Sequence, residues 1–139
     1  MEQRQDQRVA ADPLGDRQRR RRALAARYDA LLQDVPGLTP VRDPAYGQGN
    51  FQSYWVLPDQ DFPVGRDALL AALADAGISA RRGIMASHLE PAYLGHPSAP
   101  LPVTERISRD SLILPLFHTM TDAQQDRVVA VLRRSAGAA

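Results

Sequence analysis

A small α/β sandwich, with helices packed on a sheet of three to four strands, is the fold class this sequence predicts. Three observations carry it. Apolar residues recur at helical spacing in three separate stretches. Short aromatic or aliphatic runs of strand length lie between them. Proline and glycine mark the boundaries. The 139 residues are the size of one domain, and a composition 44% apolar and 24% charged suits a chain that builds a core.

Residues 1–15 are polar, interrupted by Pro13 and Gly15, and read as a flexible N-terminal tail. Asp16 is placed to cap the helix that follows. Within RQRRRRALAARYDALLQDV, residues Leu24, Tyr28, Leu31, Leu32 and Val35 form one helical stripe, and Pro36-Gly37 stops it. The segment LTPVR (38–42) reads as a short strand, and DPAYGQGN as a loop. FQSYWVLP then alternates, with Phe51, Ser53, Trp55 and Leu57 on one face and Gln52, Tyr54 and Val56 on the other. GRDALLAALADA (65–76) predicts a second helix with Leu69, Leu70, Leu73 and Ala76 inward and Gly77 just past its end. ISARRGIM reads as extended and HLEPAYLGHPSAPL as loop. PVTERISRD is a short helix opened by proline, and SLILPLF a buried strand. Thr121 and Gln124 make a capping box for a last helix, whose stripe is Val128, Val131 and Leu132. The domain plan is therefore a tail over 1–15 and one folded unit over 16–139.

Composition narrows the chemistry. There is no cysteine, which excludes disulfides, thiolate nucleophiles and cysteine-ligated zinc. All 17 basic residues are arginine. Without lysine there is no P-loop amine, no kinase lysine and no Schiff base, and a permanently protonated guanidinium does not substitute. A net charge of +1 gives no global field to recruit nucleic acid. No apolar run approaches the roughly 18 residues of a membrane span. The N-terminal segment lacks a secretory apolar core, so a cytoplasmic location is the expectation.

RQRRRR (17–22) is the most conspicuous run. Successive residues fan round a helix, so the six cannot face one polyanion together, and their charge opposes the helix macrodipole. Local partners, or acidic neighbours in an assembly, are the expectation, and no nucleic-acid partner. His88, His96 and His118 lack the spacing of a helical zinc pair, and His88-x-Glu90 alone reads as a loop polar contact, so no metal site is expected. Ser87 and Ser111 have no nucleophile elbow around them. Arg81 and Arg82 alternate across a strand. One reading holds a guanidinium fixed for phosphate or carboxylate, with Gly83 allowing close approach; the other makes both ordinary edge-strand arginines. Spacing leaves both open.

Four segments together resemble one family. RRRALAARYDALL, NFQSYWVLP, VGRDALLAALADAGISARRGIMASHLEPAY and LPVTERISRDSLILPLFHTMTDAQQDRVVAVLRR look like the C-terminal part of the DegT/DnrJ/StrS aminotransferases, over about residues 17–134. The resemblance implies the small domain of the fold type I aminotransferases. It also implies a pyridoxal-phosphate enzyme that aminates a nucleotide-linked keto-sugar, as a dimer with shared sites. In that family the cofactor is held on a lysine of a large domain. This sequence contains no such lysine, so the chain alone is expected to be inactive and to bind no cofactor. The partner implied is a separate cofactor-domain chain or a homodimer mate; the alternative reading is a binding or assembly module that docks on a separate large domain or a paralogue through the Leu24–Val35 stripe. Many members carry His-Tyr where this chain has Gly83-Ile84, followed here by a GIMAxH variant. By position the resemblance puts Arg82, His88 and Tyr93 at the substrate mouth, with no catalytic residue among them.

Overall fold

The computed structural model describes residues 12–137. Four helices, α1 (Pro13–Leu31), α2 (Arg66–Asp75), α3 (Pro102–Asp110) and α4 (Asp122–Ser135), accompany four strands. The strands are β1 (Leu38–Pro40), β2 (Tyr54–Pro58), β3 (Arg81–Arg82) and β4 (Leu112–Leu114), in sheet order β1-β2-β4-β3. Every neighbouring pair is antiparallel, with Trp55 opposite Ile113 and Arg81 opposite Ile113 at the centre of the register. This is the predicted α/β class, and each predicted helix and strand is present.

The expected cap at Asp16 is corrected. Helix α1 starts earlier, at Pro13, and Asp12 is its cap, accepting from the Gly15 amide at 3.0 Å. Proline suits the first helical turn because no partner for its missing N–H is needed there. Asp16 then sits in the first turn and pairs with Arg19, one turn on. Of the tail expected over 1–15, residues 1–11 lie outside the described residues, and 12–15 are the cap and start of α1.

A second expectation is overturned. The stripe Leu24–Val35 was to meet a partner, yet Leu24, Tyr28, Leu32 and Val35 are buried in this chain's own core. Helix α4 supplies the opposing surface: α1 and α2 both pack against it. Val128, Val129, Val131 and Leu132 of α4, Leu69 and Leu73 of α2, and Tyr54, Val56, Leu112 and Leu114 of the sheet complete the cluster. Three helices thus cover one sheet face. Alternation along β2 follows, with Tyr54 and Val56 buried on that face and Trp55 half-buried on the other, where α3 lies. The stripe is legible from spacing, but what covers it depends on residues about a hundred positions away.

The arginines have structural work. Arg133 donates to the Leu31 carbonyl at the end of α1 at 3.2 Å, and Arg66 to the Ser108 carbonyl near the end of α3 at 3.1 Å. Arg127 reaches the Ala76 carbonyl that closes α2. Each places positive charge on orphan carbonyls at a helix C-terminus, where the dipole favours it. In the 17–22 run, Arg20 donates to the Met120 carbonyl at 2.9 Å, Arg21 to the Phe51 and Gln52 carbonyls at 3.1 and 2.9 Å, and Arg22 lies 4.0 Å from Asp43. These are the local partners expected for that run. No described helix is long and apolar enough to cross a membrane.

Candidate functional site

The site of interest is the segment that leaves β3 and returns through α3. Gly77, at φ +69, ends α2 in the left-handed conformation that favours glycine, and β3 follows. The chain then passes Gly83, whose amide donates to the Ser111 carbonyl at 3.1 Å. A side chain at 83 would collide with Ser111 Oγ and lie 2.9 Å from Trp55 Cζ3 and 3.3 Å from the Ile107 carbonyl. The close approach inferred for Gly83 is thus to the protein's own β2 and α3 and to Ser111, which joins α3 to β4. It seats β3 tightly and launches the loop from a fixed point.

Two 3-10 turns, Ser87–Leu89 and Pro91–Tyr93, follow back to back. His88 anchors the first to α3. Its Nε2 lies 3.1 Å from Glu105 Oε1, and the same oxygen accepts the Leu101 amide at 3.2 Å. The His88 side chain is only 14% exposed. Both bonds favour the carboxylate, first His88 and then the Leu101 N–H, and they hold Glu105 below the usual carboxylate range. Tyr93 is half-exposed, with its ring edge-on to His96 at a centroid distance of 6.3 Å.

Arg82 stands apart from this pair. It lies on the helix-covered side of the sheet edge, 3.5 Å from Asp67 in the first turn of α2. Arg81, on the other face, reaches Ser53 Oγ at 3.4 Å. Both guanidiniums are exposed. The alternation is as read, but because β3 is a two-residue edge strand, neither arginine is driven into the layer. Among the described residues, no hydrogen bond or ion pair joins Arg82 to His88 or Tyr93.

The sequence reading missed a second wall. Phe51 adopts φ +48, an uncommon conformation for a bulky residue, three residues before β2 begins at Tyr54. Asn50 Oδ1 accepts the Gln52 amide at 3.1 Å, and Arg21 grips the carbonyls on both sides of that turn. A shallow depression of about 280 Å³ lies beside it, lined by Arg42, Phe51, Trp55 and Ile84 among others. Ile84 is the first loop residue after Gly83, so this wall adjoins the one carrying His88. Asn50 before an aromatic strand was the available signal, as an Asx turn.

Pyridoxal phosphate, which the resemblance implies, needs an amine to condense with its aldehyde. These 139 residues include no lysine, so their donor set does not by itself fit that group. Among the described residues no group of three or more His, Cys, Asp or Glu converges as a metal site would require.

Comparison with known proteins adds the following. Residues 12–133 match the DegT/DnrJ/EryC1/StrS aminotransferase family. The structure is similar to the aminotransferase TlmJ from Streptoalloteichus hindustanus, with TM-score 0.77 and 34% identity over 90% of this chain and 33% of that one. It is similar to S. venezuelae DesV in complex with a ketimine intermediate, with TM-score 0.77 and 29% identity over 88% of this chain and 32% of that one. It is also similar to DesI in the presence of its TDP-sugar product, with TM-score 0.77 and 32% identity over 89% and 33%. The chain thus spans about a third of the length of the solved structures it matches.

Proposed function

The chain belongs to the DegT/DnrJ/EryC1/StrS aminotransferase family, and we propose that residues 16–139 act as the C-terminal small domain of a pyridoxal-phosphate sugar aminotransferase. Its reaction is transfer of an amino group, with glutamate as the donor the family implies, to a nucleotide-linked keto-sugar. The observation that carries the reading is the match over residues 12–133 joined to the absence of lysine. The amine that holds the cofactor must then come from polypeptide other than residues 1–139. In this reading the chain supplies the outer wall of the sugar site. His88 and Tyr93 lie on the loop facing the mouth, Arg82 stands at its edge, and none of them forms a covalent bond. The ketimine complex of DesV and the TDP-sugar complex of DesI support the reaction class and the substrate class.

The exposed surface supports a second, compatible reading, in which the chain docks on a separately encoded cofactor domain or a paralogue. Ile84 (64% exposed), Met85, Leu89, Leu94 (70% exposed) and Val103 are exposed apolar residues on the loop and at the start of α3. Exposed apolar side chains gathered on one loop are the kind of surface a partner covers. This surface replaces the α1 stripe as the docking face, since that stripe is already buried.

The test uses the 139-residue chain with pyridoxal phosphate, alone and with a lysine-bearing cofactor domain from a relative. The chain alone should retain no visible absorbance after dialysis and should not transaminate. The mixture should aminate a nucleotide-linked keto-sugar. A dialysis-resistant cofactor band on the chain alone would overturn the proposal, as would a correctly folded mixture that stays inactive while the relative's own small domain restores activity.

A further inference from the structure

We propose that Glu105 is a positioning residue for His88, fixing its ring with the proton on Nε2 and offering Nδ1 as the acceptor at the rim. The geometry carries this. Glu105 Oε1 stands 3.1 Å from His88 Nε2 and 3.2 Å from the Leu101 amide nitrogen. An ionised carboxylate only accepts hydrogen bonds, so a neutral imidazole facing it must donate from Nε2. The tautomer follows from that bond: Nδ1 is left as the lone-pair nitrogen. The Leu101 amide matters equally. It binds the same oxygen and ties it to the segment entering α3, which restrains the carboxylate beside the ring. The short helix α3 is in turn held at its other end, where Arg66 donates to the Ser108 carbonyl at 3.1 Å. Side-chain exposures of 14% for His88 and 36% for Glu105 place the pair at the surface boundary, with the ring sheltered and the carboxylate partly wet.

The consequence is chemical. A loop histidine free to exchange tautomers presents donor or acceptor indifferently. One fixed as Nε2–H presents an acceptor, suited to a ligand hydroxyl such as that of a sugar. The identity of that ligand rests on the aminotransferase reading; the fixed tautomer does not.

The experiment is a long-range nitrogen–proton correlation spectrum of the imidazole nitrogens in the isolated 139-residue chain, above the range where imidazoles protonate. The wild type should show His88 as one tautomer with the proton on Nε2, and a directly visible Nε2–H protected from solvent exchange. Glu105→Gln should retain that pattern, since the amide oxygen can take both bonds. Glu105→Ala should lose the protected proton and move the two nitrogen frequencies towards those of a free ring. A wild-type spectrum with the proton on Nδ1 overturns the proposal without any variant. An unchanged tautomer and an equally protected proton in Glu105→Ala, with its backbone amide spectrum intact, overturn it as well. Should the alanine variant lose the fold, the wild-type proton's exchange rate decides: exchange as fast as in a free imidazole overturns the proposal, and protection supports it. No cofactor or partner enters these measurements, so they can fail while the aminotransferase reading stands, and the reverse.

Discussion

Replacing Gly83 by alanine tests whether the loop's launching point is set by packing. The added Cβ would collide with Ser111 Oγ and lie 2.9 Å from Trp55 Cζ3 and 3.3 Å from the Ile107 carbonyl. The hydroxyl can rotate away, because it makes no hydrogen bond where it is. The indole edge and the carbonyl cannot easily retreat. Ile107 is in α3, and its carbonyl accepts the Ser111 amide at 3.0 Å. Overpacking of this kind costs on the order of 1–3 kcal/mol, and two stiff neighbours put Gly83→Ala near the middle, about 2 kcal/mol. With a urea slope of about 2 kcal/mol/M for a domain of this size, the midpoint should fall by roughly 1 M at unchanged slope. Ser111→Ala alone should be close to neutral, since it removes a buried hydroxyl that has no partner. In the double variant it should recover part of the loss, a coupling that residues in contact show. A Gly83→Ala midpoint within about 0.2 M of wild type would refute the packing argument, as would simple additivity of the two changes.

Three further outcomes are expected. Burial, and for Tyr54 also its 2.6 Å bond to Asp29, push the hydroxyls of Tyr28 and Tyr54 well above their ordinary value of 10.0. Because the unfolded chain ionises first, each tyrosine's stabilisation is complete below pH 10 and declines above it, by about 1.4 kcal/mol per pH unit. Phenolate absorbance of these two should therefore appear together with unfolding, and ionisation inside a folded chain would refute the assignment. Glu105 is shifted the other way, so its contribution is present above the ordinary carboxylate range and is lost as pH falls through its depressed value. Amide exchange at residues 87–93 should accelerate there before the core opens, and uniform exchange with the core would contradict the tether. Thr121→Ala should remove the Gln124 amide's acceptor, at 3.2 Å in the wild type, and cost about 1 kcal/mol in urea unfolding; no change would mean that the capping box is dispensable.

Much of this fold is legible in local spacing. The Leu24–Tyr28–Leu32 stripe, the alternation through Tyr54 and Val56, and the Thr121–Gln124 box each depend on residues within a few positions of one another. Asp12 is hard to recognise as a cap because proline and glycine in positions 13–15 resemble breakers, though proline is at home in a first helical turn. The site was less legible. The segment GISARRGIMASHLEPAY marks itself by composition, and His88 and Tyr93 stand out within it, but their partners do not. Glu105 is 17 positions from His88, and Arg21 is 30 from Phe51.

The sequence by itself determined the element order and the want of a lysine for covalent cofactor chemistry, because periodicity and composition are local or additive properties of a chain. Tertiary structure alone decided three things. It closed α1 against α4, so that a stripe read as a docking face became core. It sent Arg82 to Asp67 and away from the His88 loop, because β3 forms the sheet edge beside α2. It also placed one carboxylate oxygen between His88 and the Leu101 amide. Each is a contact between distant segments, fixed by how the sheet pairs and which helices cover it, and no spacing along the chain encodes that geometry.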